Sequence, residues 1–134
     1  MDVQRSPIVI TGIGQRLGLR LAERFLAEGQ PVIGTYRSRR SGVDRLERLG
    51  AVCLPVDLTD TDAVLALVDA ISARTDRLRA VIHNASDWAA DAGGGDGARV
   101  FQRLFQVHMQ APYLINLGCR SLLERSAAQA GGTG

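Results

Sequence analysis

The chain has 134 residues, of which 46% are hydrophobic and 22% are charged, as expected for one soluble domain with a sizeable core. Its net charge of +2 gives no electrostatic reason to expect a nucleic-acid partner, and no apolar run is long enough to span a membrane. All 16 basic residues are arginines, which excludes any mechanism that needs a lysine of this chain.

The cellular compartment is indicated by the first residues and by the cysteines. The start of the chain lacks the apolar core of a signal peptide. Cys53 and Cys119 are too few and too far apart for a disulfide framework or a metal site. We therefore expect a cytoplasmic protein with reduced, buried thiols and no bound metal.

Apolar runs alternate with amphipathic helical patterns up to residue 82. The expected strands cover 7–10, 31–36, 51–56 and 78–82, and the expected helices cover 17–28, 42–49 and 59–74. Residues 59–62 resemble a capping box at the start of the third helix, with Asp62 in place of the preferred Glu. This alternation predicts an α/β fold, with a Rossmann-like parallel sheet, helices on both of its faces and a single domain over 1–134.

The pattern changes after Asn84. Residues 91–97 are glycine-rich and predict a flexible loop, and residues 98–125 predict a long helix. Pro112 should kink that helix or start a new segment, because it has no amide hydrogen to donate. Residues 127–134 end in Gly-Gly-Thr-Gly and predict a flexible tail.

The first strand is followed by a glycine-rich turn, Thr11 to Gly18, and then by a helix. This order predicts a phosphate-binding loop, because free backbone N–H groups and the positive end of the helix dipole favour an anion there. The alternative is a tight turn that holds no ligand. Ligands of parallel sheets bind beyond the carboxyl ends of the strands, so residues after the other strands are further candidates. They are Tyr36, Arg37, Asp57 and Asn84.

The residues after the second strand indicate which dinucleotide the loop would hold. A site for NAD usually carries an acid there that binds the ribose 2′-hydroxyl, and this chain has none. Arg37 and Ser38 can instead bind a 2′-phosphate, which favours NADP(H). The alternative is a solvated basic loop, which is our expectation for Arg39 and Arg40.

The glycine spacing resembles the Thr-Gly-x-x-x-Gly-x-Gly loop of short-chain dehydrogenases/reductases, with Arg16 in place of one glycine. Together with His83 to Ser86, Trp88 and the segment from His108 to Leu114, it resembles the pteridine-reductase branch of that family over residues 7–125. The resemblance implies NADPH-dependent reduction of a dihydropteridine of the dihydromonapterin or dihydrofolate type. It implies that NADP(H) contacts Gly12, Gly14, Arg16, Leu17, Gly18, Tyr36, Arg37, Ser38, Asp57, Leu58, Asn84, Ala85 and Ser86.

The same resemblance implies that the pterin contacts Arg16, Ser86 and Trp88. An aromatic side chain suits that role, because a flat heteroaromatic ring gains from stacking on it. The alternative is that Trp88, the only tryptophan, fills a gap in the core. His108 stands where many members of the family carry an asparagine of the catalytic group, and a histidine that packs between helices is an equal alternative.

The resemblance also implies catalysis by a serine after a fifth strand and by a Tyr-x-x-x-Lys motif on the next helix. Neither is present here, since the sequence stops after the fourth strand and the long helix and contains no lysine. We therefore expect the N-terminal half of a reductase, with no catalytic residue of its own and no activity alone. The alternative is a non-catalytic NADP(H)-binding or interaction module, and an in-frame Tyr-x-x-x-Lys downstream would distinguish the two. The family resemblance further implies a homo-oligomer, a tetramer, built through helix 98–125.

Overall fold

The structure is a computed structural model that describes residues 5–89 and 95–131. Within those ranges, four strands are joined and followed by five α-helices and one π-helical segment. The elements are β1 (Ile8–Ile10), α1 (Arg16–Ala27), β2 (Val32–Tyr36), α2 (Ser41–Arg48), β3 (Val52–Pro55), α3 (Thr61–Arg74), β4 (Ala80–Ile82), α4 (Gly97–Phe105), the π segment (Gln106–Gln110) and α5 (Ala111–Gly131). The predicted α/β alternation is confirmed, and the predicted loop over 91–97 lies mostly outside the described residues.

All four strands are parallel and lie in the order β3-β2-β1-β4. In the register of the sheet, Val9 of β1 stands between Ile33 of β2 and Val81 of β4. The chain winds outward in one direction from β1 to β3 and then returns to the other side of β1 with β4. The carboxyl ends of β1 and β4 therefore form the switch point at which open α/β sheets bind their ligands.

Helices cover both faces of this sheet, because the strands are apolar on both sides. Val9 and Ile33 pack on one face in a cluster with residues of α3 and α5, including the fully buried Ile71 and Ile115. Ile10 on the other face belongs to a cluster with residues of α1 and α2. Each aliphatic side chain buried in this way stabilises the fold by roughly 1.5–3 kcal/mol.

The helix α3 begins two residues after its predicted start. The N-terminal cap is Asp60, whose Oδ1 accepts a hydrogen bond of 3.2 Å from the amide of Ala63. The predicted capping box over 59–62 is therefore wrong, because the hydroxyl of Thr59 donates to Asp57 instead, at 2.7 Å. That alternative partner places Thr59 in the turn after β3 rather than at the helix start.

The single helix predicted over 98–125 is three segments. Pro112 has no amide hydrogen to donate to the carbonyl of His108. The turn before Pro112 is wider than an α-helical turn, because the amide of Ala111 donates to the carbonyl of Gln106, five residues earlier. The expected start of a new segment at Pro112 is thus confirmed. The predicted end near residue 125 is wrong, since α5 continues to Gly131 and 127–131 are helical.

Side-chain contacts to the loop before β4 explain this longer helix. Nε of Arg125 donates to the carbonyl of Asp76, and the side chain of Arg77 bonds that of Gln129. These contacts hold the last turns of α5 against the body of the domain. Residues 132–134 of the predicted tail lie outside the described residues, and the mobility of the tail stays a prediction.

One face of α4, the π segment and α5 is apolar but exposed. Its large side chains recur every four residues, and we call them the apolar stripe: Phe101, Phe105, Met109, Tyr113 and Leu117. Spacing of four residues places them on one side of a continuous helical rod. No helix in the described ranges is both long enough and apolar enough to cross a bilayer.

Candidate functional site

A cleft of about 740 Å³ opens at the carboxyl ends of the strands. Every residue that the sequence predicts to contact a cofactor lines it: Gly12, Gly14, Arg16, Leu17, Gly18, Tyr36, Arg37, Ser38, Asp57, Leu58, Asn84, Ala85 and Ser86. The fold therefore brings four separate stretches of sequence to one place. Contact with a cofactor itself stays a prediction.

The glycines of the turn after β1 are required for different reasons. Gly12 has φ +74, and a Cβ there would lie 2.9 Å from Cα of Ala85. A Cβ on Gly18 would lie 2.0 Å from the carbonyl oxygen of Gly12, a distance that real atoms do not reach. A Cβ on Gly14 would meet nothing closer than 3.8 Å. The fold thus requires Gly12 and Gly18, whereas at Gly14 a Cβ would make only ordinary contacts, with Val43, Ser38 and Tyr36.

The start of α1 presents unpaired donors to the cleft. The cap residue Gln15 makes no side-chain hydrogen bond to the helix, and Arg16 at the first position has φ 52, a conformation rare for a residue with a side chain. Leu17 is 69% exposed and faces the cleft rather than the core. A helix start without a side-chain cap leaves its amides to water or to an anion.

Two polar side chains join this turn to the loop after β4. Oγ1 of the buried Thr11 accepts hydrogen bonds from the amides of Asn84, at 3.1 Å, and Ala85, at 3.0 Å. The side-chain amide of Asn84 donates to the carbonyl of Gly12 at 3.0 Å. Asn84, which was predicted to contact NADP(H), therefore also has a structural role at the floor of the cleft.

The loop after β2 supplies most of the positive charge. Arg37 and Arg40 line the cleft, and in the described part of the chain neither forms an ion pair. Arg39 turns away and pairs with Asp44 and Glu47, both at 2.7 Å. Arg40, for which the sequence predicted the same solvated role as for Arg39, is exposed but lines the cleft, and its role there stays a prediction.

Asp57 follows β3, the strand next to β2, and adds a carboxylate to the lining of the cleft. Its pKa lies below the usual range, chiefly because Oδ1 accepts hydrogen bonds from the hydroxyl and the amide of Thr59, and also because Arg37 is near. The carboxylate is thus ionised at neutral pH and its accepting atoms are partly used inside the turn. Any ligand beside it would meet a fixed negative charge.

Trp88, which was predicted to contact the pterin, is not among the residues that line the cleft. Its side chain is 81% exposed, which excludes the alternative that it fills the core. The preceding residue, Asp87, is the last of this loop to line the cleft. Arg16 and Ser86, the other two residues predicted to contact the pterin, both line it.

His108 contacts the same loop from the π segment. Its Nε2 lies 3.1 Å from the amide nitrogen of Asp87 and 3.0 Å from its carbonyl oxygen. The histidine therefore fixes the main chain before Trp88 and is more than a residue that packs between helices.

Several lining residues were missed by the sequence analysis. They are Gln15, Thr35, Arg40, Val56, Thr59, Asp87 and Val107. Thr35 and Val56 are next to predicted site residues at strand ends, so the strand-end rule would have found them. Val107 gave no signal, because only the fold of the π segment brings it to the cleft.

Comparison with known proteins agrees with this geometry. The family model described as short chain dehydrogenase matches residues 6–132. A curated relative, the dihydromonapterin reductase of Klebsiella pneumoniae, is 46% identical over 122 residues, which are 91% of this chain and 51% of that protein. The chain thus spans about half the length of the curated relatives it matches.

Solved structures show the same fold. A NADH-dependent reductase complexed with NAD superposes with a TM-score of 0.80, at 22% identity, over 97% of this chain and 57% of that one. The NADPH-bound carbonyl reductase from chicken fatty liver gives a TM-score of 0.78, at 21% identity, over 96% of this chain and 55% of that one. At such identities the likeness concerns the fold alone.

Proposed function

The chain belongs to the short-chain dehydrogenase family, and on that premise we propose that its cleft binds NADP(H) as part of a reductase that acts on dihydropteridines. The observation that carries the proposal is the pair Arg37 and Arg40, which line the cleft after β2 without an ion-pair partner among the described residues. A cleft with unpaired guanidinium groups suits a phosphate better than a neutral ribose hydroxyl.

The rest of the cleft fits the remainder of the dinucleotide. The uncapped start of α1, and Gly14 with no side chain of its own in the lining of the cleft, suit the close approach of a pyrophosphate. Arg16 adds a positive charge beside them. When bound, NADPH supplies the hydride, and the residues of this chain bind and orient it.

The proposed substrate class rests on Trp88, which directly follows a residue that lines the cleft, and on the relatives. Several of these are dihydromonapterin reductases at 41–46% identity. We propose that the exposed indole of Trp88 provides a stacking face for a pterin ring, and that Arg16 and Ser86 contact its polar edge.

The chain lacks the residues that would protonate the product. The short-chain family resemblance requires a serine and a Tyr-x-x-x-Lys motif, and the sequence contains no lysine. We therefore propose that hydride transfer takes place only in a protein that adds those residues. The absence of lysine equally favours the second candidate, a non-catalytic NADP(H)-binding or interaction module.

We further propose that a second copy of the protein covers the apolar stripe. Phe101 is 72% exposed, Tyr113 65% and Met109 62%, which is unusual for side chains of this size on one helical face. Substituting Phe105 and Met109 with glutamate should convert an oligomer to a monomer in light scattering. A chain that is monomeric at micromolar concentrations before substitution would contradict this part of the proposal.

Binding measurements on this chain test the cofactor. NADPH and NADH are titrated by the change in their own fluorescence, and we expect NADPH to bind about tenfold or more tightly, because of the extra charge-assisted contacts. Equal affinities, or no binding of either, would overturn the proposal. Incubation with NADPH and dihydrofolate should give no turnover, and turnover would show that the missing residues are not needed.

The substrate is tested in a protein that carries the whole reductase. Trp88→Ala should raise the KM for dihydrofolate by about tenfold, the cost of one lost stacking contact, and leave the KM for NADPH unchanged. Leu65→Ala, at an exposed position of α3, is the control outside both the cleft and the apolar stripe. If Trp88→Ala leaves the KM for dihydrofolate unchanged, the proposed stacking of a pterin on Trp88 is wrong.

A further inference from the structure

Asp87 is held by two side chains from outside its own loop. Nε2 of His108, in the π segment, lies within hydrogen-bond distance of both main-chain groups of Asp87, the amide at 3.1 Å and the carbonyl at 3.0 Å. Nε of Arg103, on α4, lies 2.8 Å from Oδ2 of Asp87 as an ion pair. We name this arrangement, His108 and Arg103 on Asp87, the Asp87 clamp.

The clamp extends to Trp88 through the main chain. Oδ1 of Asp87, the oxygen that Arg103 does not use, accepts a hydrogen bond of 2.9 Å from the amide of Trp88. The indole is 81% exposed, so packing against this chain contributes little to its position. The direction of the indole therefore depends on where the main chain of residues 87 and 88 is held.

We infer that His108 and Arg103 are positioning residues, which fix Asp87, a residue that lines the cleft, and thereby hold the main chain of Trp88 directly after it. The purpose of this arrangement rests on the proposed function, in which Trp88 stacks on a pterin. A stacking face that is already ordered spares the complex the cost of ordering it, which is roughly 0.5–1.5 kcal/mol for one side chain.

The tautomer of His108 decides which of its two contacts with Asp87 is the hydrogen bond. An unprotonated Nε2 accepts from the amide of Asp87, and a protonated Nε2 donates to its carbonyl. His108 lies within the π segment, whose wider turn precedes Pro112, and from there its side chain contacts Asp87 in the loop after β4. Arg103 lies one helical turn before the π segment, so both members come from one continuous rod.

Trp88 is the only tryptophan, so the intrinsic fluorescence of the chain reports the clamp directly. We compare the fluorescence anisotropy of the chain with that of His108→Ala, Arg103→Gln and the conservative His108→Gln. Both loss variants should lower the anisotropy at unchanged helical content in circular dichroism, and His108→Gln, whose amide can still donate and accept, should restore it. Arg120→Gln is the matched control, because Arg120 forms an ion pair of the same length, 2.8 Å, with Glu124 on the far part of α5.

A second readout is the quenching of Trp88 by dihydrofolate in the presence of NADPH. The loss variants should raise the Kd for dihydrofolate about two- to tenfold and leave the Kd for NADPH unchanged. If His108→Ala fails to fold, Arg103→Gln decides alone, since the side chain of Arg103 is 42% exposed.

The two proposals fail in different ways. An anisotropy that is unchanged in folded His108→Ala and Arg103→Gln overturns the clamp, whatever the chain binds. An anisotropy that falls in these variants supports the clamp even if the unchanged chain binds no dihydrofolate, a result that would instead overturn the proposed substrate.

Discussion

The side-chain amide of Asn84 donates a hydrogen bond of 3.0 Å to the main-chain carbonyl of Gly12, across 72 residues of sequence. The same asparagine donates its own main-chain amide to Oγ1 of Thr11. The turn after β1 and the loop after β4 are therefore one hydrogen-bonded unit at the switch point of the sheet. The shape of the cleft floor depends on that unit.

Asn84→Ala should lower both stability and cofactor affinity. It leaves the partly buried carbonyl of Gly12 without this partner, which costs about 1–3 kcal/mol of unfolding free energy, and it loosens the glycine-rich turn. Urea unfolding and an NADPH titration measure the two effects. Asn116→Ala removes the other asparagine, which contacts His83 outside the cleft, and should leave the Kd for NADPH unchanged. Unchanged stability of Asn84→Ala would show that water replaces the bond.

Two alanine substitutions in the same turn should have opposite consequences. Gly18→Ala forces a Cβ to 2.0 Å from the carbonyl of Gly12 and should cost about 1–3 kcal/mol of stability or more. Gly14→Ala meets only ordinary contacts, so stability should change by about 0.5 kcal/mol or less. NADPH binding should weaken, because the methyl group would stand beside Ser38 and Tyr36, which line the cleft. Thermal unfolding and NADPH titration separate the two. Full NADPH affinity in Gly14→Ala would place the pyrophosphate elsewhere.

Arg37→Gln should reduce the preference for NADPH over NADH. Loss of a charge-assisted contact to a 2′-phosphate costs about 1.5–3 kcal/mol, or roughly ten- to a hundredfold in the Kd for NADPH, and should not affect NADH. Arg39→Gln is the matched control. It removes the same charge at a position two residues later, where the side chain already pairs with Asp44 and Glu47. The difference should shrink as the salt concentration rises. A preference for NADPH that survives in Arg37→Gln would assign the role to Arg40.

The residues that line the cleft could be predicted because parallel strands end at one edge of a sheet. Asp57 and Asn84 are 27 positions apart in the numbering, yet each follows the end of a strand, and the fold brings both to the cleft. The α/β alternation that supports this logic is a local property of sequence, read from apolar periods and glycine positions. The α/β alternation predicts the sheet, and the position of residues at strand ends predicts most of the site.

The remainder depends on contacts that no local pattern contains. The cap at Asp60 instead of Thr59 is decided by the competing hydrogen bond from Thr59 to Asp57. Arg39 and Arg40 are adjacent and alike in sequence, and two acids of α2, Asp44 and Glu47, draw Arg39 away from the cleft. The contact between His108 and Asp87 arises from the π segment and a loop that are distant in the sequence. Tertiary partners of this kind overrule composition.

Cys53 should be slow to react with alkylating reagents. Burial, and then the negative charge of Glu47, raise the pKa of its thiol from the usual 9.0 to about 11. At pH 8 the thiolate fraction is then about a hundredfold lower than for a free cysteine, and the rate of carboxamidomethylation of this residue, followed by mass spectrometry, should fall accordingly. Glu47→Gln should raise that rate, and Glu124→Gln, on α5, should not.

The same shift sets the sign of a pH effect on stability. The folded chain holds the thiol proton of Cys53 more tightly than the unfolded chain does. The contribution of this thiol to the free energy of unfolding is therefore fully present below the pKa of the unfolded state. It is lost as the pH rises from about 9 toward about 11, and urea midpoints should fall over that window. Cys53→Ala should remove this part of the decline, whereas Cys119, whose pKa burial also raises, continues to contribute. A decline that is the same with and without Cys53 would show that its thiol is protonated equally in both states.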